Sequence, residues 1–307
     1  MVTLLVSLAV LSPIDISSTA VPLDSENASR TELGELRFAG GLRLASEDSR
    51  FGGISGFVVD DKRRRMVAIS DRGFWFTFDM QHDPGERLVG VNNAQVFPML
   101  NAEGRPLAGA DADAEDITRL ADGTWIVSFE HHHRLARFST VTSREEPVAG
   151  PSELSACPPN GGIEALASLP GGRLLLFREK PSDSSGHFSA WLQAAPSKAY
   201  NPLTYASTDG FQPTGVTLLN NGDLLVLERR FTVLTGIAAR LVRVPARAIE
   251  GEAPIQTREI ARFDGSVLRD NYEALTAHDN RLYIGSDDNY NAEAQATLLV
   301  HFVVPEP

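Results

Sequence analysis

The feature that most constrains the fold is a motif that occurs five times along the chain. Each copy begins with a small or acidic residue and continues as a short apolar run, a polar turn and a second apolar run. The first residues of successive copies lie 60, 49, 50 and 59 positions apart. They are Ser55, Glu115, Glu164, Thr214 and Glu273. A supersecondary unit repeated at such a period indicates a repeat architecture.

The turns within the copies are typical of β-hairpins. Asp-Gly at 122–123, Gly-Gly at 171–172 and Asn-Gly at 221–222 each separate two runs rich in Val, Ile and Leu, and these dipeptides favour tight hairpin turns. Two more strand-like runs follow the hairpin in the third and fourth copies, so each copy predicts four strands. Four-stranded units repeated radially are typical of a β-propeller. We therefore predict an all-β fold with a single propeller domain over residues 33–307.

The two ends of this domain are predicted to meet in one blade. The fifth copy offers a third strand at 297–303, and the run at 36–44 supplies the fourth. This pairing closes the ring and removes two open sheet edges. The count is five four-stranded blades, and six stay open if a long connection hides a degenerate blade. A solenoid or two β-sandwiches are the alternatives, but a sandwich has no reason to carry one motif five times.

The first 20 residues resemble a signal peptide. Residues 1–11 are mostly apolar, and small residues at 18–20 offer a cleavage point after Ala20, although the Lys or Arg that usually precedes such a run is missing. This pattern predicts a periplasmic or secreted protein. Residues 21–32 are polar and are predicted to form a disordered leader. No other apolar run approaches the ~20 residues of a membrane-spanning helix.

Composition narrows the classes of partner. The chain has 28 Lys and Arg against 40 Asp and Glu and a formal net charge of -12, so it lacks the basic surplus that would neutralise nucleic-acid phosphates. Its single cysteine, Cys157, excludes an internal disulfide and a zinc site built on several thiolates. We interpret Cys157 as an inert thiol. Composition thus argues against nucleic acid as a partner.

Ring closure would bring distant acids together. The first strand of a propeller blade lines the channel and the second runs antiparallel to it, so the start of one and the end of the other lie at the same mouth. The motif's first residues then form an inner ring. An outer ring at the ends of the second strands comprises Asp71, Glu130, Glu179, Glu228 and Asp287. Eight carboxylates from the two rings are predicted to converge.

Such a cluster requires compensating charge, because neighbouring carboxylates raise one another's pKa. Acids of the outer ring have two interpretations, either as a functional surface or as ion pairs between blades. Oxygen ligands without thiolates favour Ca²⁺ or Mg²⁺ over Zn²⁺, and we prefer Ca²⁺.

The predicted metal ligands are Glu115, Glu164, Glu273 and Asp287. The predicted catalytic residues are Glu115, Glu164 and Glu273. The predicted substrate-binding residues are Arg72, Arg229 and Arg230. The histidines at 131–133 are either a solvated rim or the source of one metal ligand or general base.

With these residues in view, the chain resembles the bacterial proteins described as esterase-like activity of phytase. The resemblance covers residues 36–304 and rests on segments 51–56, 70–73, 113–117, 160–166, 225–231, 271–275 and 286–289. It implies an exported propeller that hydrolyses phosphoesters or other esters. The resemblance also implies a glycine after the acid of the second copy, where this chain has Asp116 and hence one more carboxylate.

Three functions are compatible with the sequence. The first is a metal-assisted hydrolase of small phosphoester or ester substrates, with its site at the acidic mouth. The second is a non-catalytic propeller that binds a ligand or partner and holds a structural metal. The third, a glycosidase or lactonase, rests on fold analogy alone.

Overall fold

The computed structural model describes residues 12–60, 64–195, 197–251, 254–291 and 295–305. These residues form five antiparallel sheets and contain no α-helix. Short 3-10 helices in this described part of the chain join the strands at Gly109–Asp111, Ser152–Ala156 and Ala246–Glu250. None of the described residues belongs to a helix that could cross a membrane.

In the first four blades, the strands follow one another in chain order across the sheet. Blade 1 contains Ile54–Asp60, Arg65–Ser70, Phe74–His82 and Leu88–Pro98. Blade 2 contains Ala114–Arg119, Trp125–Phe129, Arg134–Phe138 and Glu146–Val148. Blade 3 contains Ile163–Leu169, Arg173–Pro181, Phe188–Gln193 and Tyr200–Tyr205. Blade 4 contains Gln212–Leu218, Leu224–Thr232, Gly236–Val244 and Arg258–Phe263. The first strands of consecutive blades contact one another around a ring.

Blade 5 combines the two ends of the propeller domain. Its strands are Tyr272–His278, Arg281–Ser286, Thr297–Val303 and Leu36–Ala45. The last two pair antiparallel, with Leu299 opposite Leu42. This arrangement confirms the prediction that the N-terminal strand completes the C-terminal blade. It also confirms a five-bladed, all-β propeller.

The core lies between the blades, because both faces of each middle strand are covered. In blade 4, Leu224 and Val226 pack with residues of blade 3, whereas Leu225 and Leu227 pack with residues of blade 5. Successive side chains of a strand point to opposite faces. A strand covered on both faces must therefore be apolar at every position, which explains the unbroken Leu and Val runs of the motif.

The segment before the propeller is part of the fold. Ser12–Pro13 pairs with the outermost strand of blade 1, and Ser17–Ala20 pairs with the N-terminal strand in blade 5. The prediction of a disordered leader at 21–32 is wrong, since Leu23 is fully buried in the core shared by blades 4 and 5. Asp24 is also buried. The polar composition of this segment concealed a single apolar anchor. Residues 1–11 of the predicted signal peptide lie outside the described residues.

Neighbouring blades approach most closely beside the channel. A small residue follows the motif's first residue in four copies, as Gly56, Ala165, Gly215 and Ala274. A Cβ at Gly215 would lie 2.8 Å from the backbone oxygen of Glu273 in blade 5. Gly56 lies equally close to blade 2, where a Cβ would come within 2.9 Å of a carboxylate oxygen. The small residues thus let the first strands meet.

We predict that Gly215→Ala lowers the free energy of unfolding by about 1–3 kcal/mol, because the added methyl group overpacks a contact with backbone. Gly251→Ala is the matched control, since its Cβ would meet nothing closer than 3.9 Å. Urea denaturation of both variants measures the difference. Equal midpoints for Gly215→Ala and the wild type would show that the blades do not meet as described.

Candidate functional site

Each first strand carries a β-bulge at the motif's first residue. In blade 3, Ile163 pairs with Arg178 and Ala165 pairs with Phe177, so Glu164 has no partner across the ladder. Blades 1, 4 and 5 show the same register shift. In blade 2 the shift takes in two residues. The residues at the bulges are Ser55, Glu115 with Asp116, Glu164, Thr214 and Glu273. A bulge bends the strand and changes the direction of a side chain.

The bulges and the ends of the second strands surround a pocket of about 300 Å³. Its carboxylates are Asp71, Asp113, Glu115, Glu130, Glu164, Glu179, Glu273 and Asp287. The structure therefore places all four predicted metal ligands in one pocket. Ser55, His131, Asn160, Lys180 and Asn289 complete the lining.

Two groups of three carboxylates are close enough to share a cation. In each group the candidate ligand oxygens lie within 4.8 Å of one another. The first group is Asp113, Glu115 and Glu130, and the second is Glu130, Glu164 and Glu179. Glu130 belongs to both groups, and its Oε1 accepts a hydrogen bond of 3.0 Å from the backbone N–H of Gly162. We call these residues the two acidic triads.

The triads contain two of the four predicted ligands, Glu115 and Glu164. Glu273 and Asp287 line the same pocket but belong to no such group among the described residues. The sequence predicts Glu130 and Glu179 only as members of the outer ring. Their place after the second strand was the available signal, but it did not reveal that the outer ring lies within ligand distance of the inner one.

Burial and mutual repulsion make these acids hard to ionise. Burial, followed by the charge of Asp113, raises the pKa of Asp71 to about 7. Burial, followed by the charge of Glu273, raises the pKa of Asp287 to about 9. Burial and neighbouring carboxylates also raise the pKa values of Glu115 and Glu164 well above the ordinary range. A pocket of this kind retains protons at neutral pH unless a cation replaces them.

Asp71 differs from the other pocket acids in its hydrogen bonding. Its Oδ1 is buried and has no hydrogen-bond partner in the described part of the chain. A buried carboxylate oxygen without a partner is uncommon, and it is a place where a water molecule or an ion is expected. The side chain lines the pocket.

Of the three predicted substrate-binding arginines, Arg229 is the one that reaches the pocket acids. Its Nη1 lies 3.2 Å from Oε1 of Glu273, and its Nη2 lies 3.8 Å from Oε1 of Glu179. It also donates a hydrogen bond to Oδ1 of Asn271. Lys180 is similarly placed, with its Nζ 3.3 Å from Glu179. These cations partly neutralise the pocket.

The other two arginines lie elsewhere. Arg230 follows Arg229 in an extended strand and therefore points to the opposite face, where its Nη1 donates to the carbonyl of Asp209 at 2.9 Å. The guanidinium of Arg72 stacks on the ring of Tyr290, 3.5 Å from its centroid. Neither side chain lines the acidic pocket.

The prediction that Glu228 joins the ring of acids is wrong. Its side chain is fully buried, accepts a hydrogen bond of 2.8 Å from the hydroxyl of Tyr205 and pairs with Arg240. Strand alternation explains the error, because Glu228 shares a face with Leu224 and Val226, the face that packs on blade 3. This acid forms an ion pair in the core with an arginine of its own blade, whereas the alternative interpretation of the outer ring was an ion pair between blades.

One of the three adjacent histidines faces the pocket. Nε2 of His131 lies 3.2 Å from Oδ2 of Asp113. His132 is paired with Asp111 at 2.6 Å, and Nε2 of His133 lies 2.8 Å from the carbonyl oxygen of Pro158. The three side chains thus diverge, as expected of an irregular turn after a strand.

A family model matches residues 49–290 of the chain, and it describes the family as esterase-like activity of phytase. The chain belongs to this phytase-like family. The match includes all the residues of the acidic pocket. No curated protein matches the chain.

Solved structures resemble this phytase-like propeller at low sequence identity. The catalytic domain of a GH62 alpha-L-arabinofuranosidase from Coprinopsis cinerea is 15% identical, with 95% of this chain and 98% of that chain covered and a TM-score of 0.48. The PQQ-bound aldose sugar dehydrogenase from Streptomyces coelicolor is 14% identical, with coverage of 96% and 100% and a TM-score of 0.44. Virginiamycin B lyase from Staphylococcus aureus is 8% identical, with coverage of 95% and 100% and a TM-score of 0.42. We draw nothing about activity from likenesses of this strength.

Asp116, which stands where the resemblance implies glycine, has a structural place in this phytase-like propeller. It is buried. Its Oδ2 accepts a hydrogen bond of 2.7 Å from the N–H of Leu166 in blade 3, and its Oδ1 accepts one from the N–H of Ile117. Both oxygens are therefore occupied by backbone. The extra carboxylate connects blades 2 and 3 and does not line the acidic pocket.

The raised pKa values of Asp71 and Asp287 predict how stability changes with pH. Folding favours the protonated forms of both acids. The stability that each contributes is therefore complete below about pH 4. It is lost as the pH rises through the folded-state pKa, about 7 for Asp71 and about 9 for Asp287. In chelator-treated protein, the Tm of the wild type should fall between about pH 5 and pH 9. The Tm of the double variant Asp71→Asn/Asp287→Asn should fall by less over the same range.

Differential scanning calorimetry across this range measures the effect. Added Ca²⁺ should restore the Tm of the wild type at high pH, because the dication compensates the ionised carboxylates. If wild type and double variant lose the same Tm without metal, these acids are not destabilised as described.

Proposed function

We propose that the chain is a metal-assisted hydrolase of phosphate esters or other esters, with its site in the acidic pocket. The observation that carries this proposal is the pair of acidic triads that share Glu130. Membership of the phytase-like family supports ester hydrolysis as the reaction class. The proposed substrate is a small molecule.

The donor set fits a hard divalent cation. Both triads offer only carboxylate oxygens, and Ca²⁺ accepts six to eight oxygen ligands in flexible geometry. We propose Ca²⁺ in preference to Mg²⁺, which requires a nearly ideal octahedron. Glu130 would hold the metal either with Asp113 and Glu115 or with Glu164 and Glu179, and Glu273 and Asp287 lie in the same pocket to complete its shell. When bound, the metal would polarise the substrate and lower the pKa of a water molecule.

Asp71 is our candidate for the proton acceptor. A general base works best when its pKa lies near the working pH, and the pKa of Asp71 is raised to about 7. Its Oδ1 has no hydrogen-bond partner among the described residues, and its side chain lines the pocket in which the water molecule would lie. The proton of that water would pass to Asp71 as the water oxygen attacks the ester carbon or phosphorus. The ester bond would then break, and the alcohol that leaves would take up the proton held by Asp71.

Arg229 is our candidate for orienting the anionic part of the substrate. Its guanidinium lies between Glu179 and Glu273 at the edge of the pocket. Guanidinium groups bind phosphate or carboxylate oxygens in pairs, so Arg229 would hold the anionic group of a substrate beside these acids. The carboxylates of Glu179 and Glu273 keep this side chain in place in the absence of substrate.

A non-catalytic binding propeller is the second candidate. One observation favours it: Arg229 and Lys180 are both paired with pocket acids, so fewer cationic donors are free to stabilise an anionic transition state. This alternative predicts a thermal shift with Ca²⁺ and no turnover of p-nitrophenyl phosphate or p-nitrophenyl esters. Turnover that chelator abolishes and Ca²⁺ restores would exclude it.

Glu130→Gln tests the proposed metal site, because it removes charge from both triads at once. We expect Ca²⁺ affinity to fall by about tenfold to a hundredfold and ester turnover to fall with it. Glu146→Gln is the matched control, since Glu146 is exposed on the outermost strand of blade 2. Titration calorimetry on chelator-stripped protein measures the affinity. Unchanged Ca²⁺ binding in Glu130→Gln would contradict the proposal.

We also propose that the protein is exported to the periplasm or the medium. The apolar run at 1–11 supports export, whereas the pairing of Ser12–Pro13 and Ser17–Ala20 with the propeller supports processing before Ser12 and not after Ala20. N-terminal sequencing of exported protein tests this point. A mature chain that begins at residue 21 would contradict it, and so would a chain that stays in the cytoplasm.

A further inference from the structure

The hairpin that joins the second and third strands of blade 4 exposes large apolar side chains. Phe231 is 72% exposed, Val233 94% and Leu234 96%. We call these three residues the apolar tip. In the described part of the chain, Val89 in blade 1 is the one other large hydrophobic residue in this class. Apolar groups clustered on a surface mark a site of interaction.

Strand alternation determines which face of the hairpin carries Phe231. The ladder between Leu224–Thr232 and Gly236–Val244 runs without a register shift, pairing Arg229 with Ala239 and Phe231 with Ile237. Residues two apart in a strand, and residues directly opposite in an antiparallel pair, share a face. Phe231 and Ile237 therefore lie on the same face as Arg229, the face from which Arg229 reaches Glu273 in blade 5.

The distance is short enough for one ligand to contact both regions. Val233 lies four positions after Arg229 and one after the end of the strand at Thr232, which corresponds to at most about 13 Å at about 3.3 Å per residue. The second strands end at the mouth, so this ribbon rises from the rim of the acidic pocket. An extended acyl or alkyl chain of medium length spans the interval.

The corresponding hairpin of blade 3 differs in chemistry. It joins Arg173–Pro181 to Phe188–Gln193 and exposes Ser182, Asp183 and Ser185. The acidic pocket is also lined by polar and charged side chains. Among the described residues, the mouth thus combines a polar floor with an apolar wall on the side of blade 4, an asymmetry that matches a molecule with one polar and one apolar end.

We propose that the mouth binds an amphiphilic ester, whose ester or phosphoester group enters the acidic pocket and whose hydrocarbon chain lies along Phe231, Val233 and Ile237. This inference rests on the proposed function for the reaction and adds the substrate class. The apolar tip would thus contact the hydrocarbon chain of the ligand, and it would determine which chain lengths the protein prefers.

The test compares Phe231→Ser/Val233→Ser/Leu234→Ser with Val89→Ser, an exposed apolar residue of blade 1 that serves as the matched control. The substrates are p-nitrophenyl acetate and p-nitrophenyl octanoate in the presence of Ca²⁺. The tip variant should lose about tenfold in kcat/KM for the octanoate and keep its value for the acetate. The control should match the wild type on both. Equal values for the tip variant and wild type on the octanoate would overturn the inference.

A binding experiment separates this inference from the proposed function. The emission of Phe231→Trp is followed while methylphosphonate or octylphosphonate is added with Ca²⁺. A blue shift with octylphosphonate alone supports the amphiphilic ligand even if no ester is hydrolysed, in which case only the proposed function fails. Turnover without any dependence on chain length would leave the function and overturn the inference.

Two further outcomes would overturn it. Flotation of the wild type with phosphatidylcholine vesicles, lost in the tip variant while octylphosphonate binding persists, would make the tip a membrane contact. A dimer in sedimentation velocity that the tip variant abolishes, again with octylphosphonate binding intact, would make it a contact between copies of the chain. Monomeric protein that does not float, together with the chain-length effect, supports the proposal.

Discussion

The pairing of Leu36–Ala45 with Thr297–Val303 is the interaction on which the rest of the structure depends. It joins strands distant in sequence and closes the ring, so that no blade presents an unpaired edge at the junction. Closure of this kind brings an entropic penalty that grows only slowly with loop length. It is offset by the apolar cores that form between each pair of blades. Without the closed ring, Glu115, Glu164 and Glu273 would have no common surface.

The same ring creates an electrostatic problem. Eight carboxylates surround one pocket of about 300 Å³, and both burial and mutual repulsion disfavour their charged forms. Such strain is tolerated because the bulges and second strands are fixed by the packing of the blades. Structural acids and site acids are separated by strand alternation: Glu228 faces the core and pairs with Arg240, whereas Glu179 faces the pocket. We therefore expect the pocket acids to stay protonated when no cation is bound and to ionise when a dication binds.

The architecture could be predicted from the sequence because the repeat is local, and hairpin turns, apolar runs and spacing all indicated the same blade. The inner ring followed from topology. The errors arose where orientation mattered: Arg230 points away from Arg229 because neighbouring strand residues alternate, and Leu23 anchors a segment that looked polar. The bulges left a weak sequence signal, the small residue that follows the motif's first residue in four of the five copies. No sequence signal indicated the distances that make Glu130 common to both triads.

The most direct test of the account is a long-wavelength anomalous diffraction map from crystals grown with Ca²⁺. We predict anomalous density in the acidic pocket, with the oxygens of Glu130 at about 2.3–2.6 Å from the ion. A pocket that stays free of metal at saturating Ca²⁺, with its acids held only by Arg229 and Lys180, would contradict the central claim that ring closure builds a metal site.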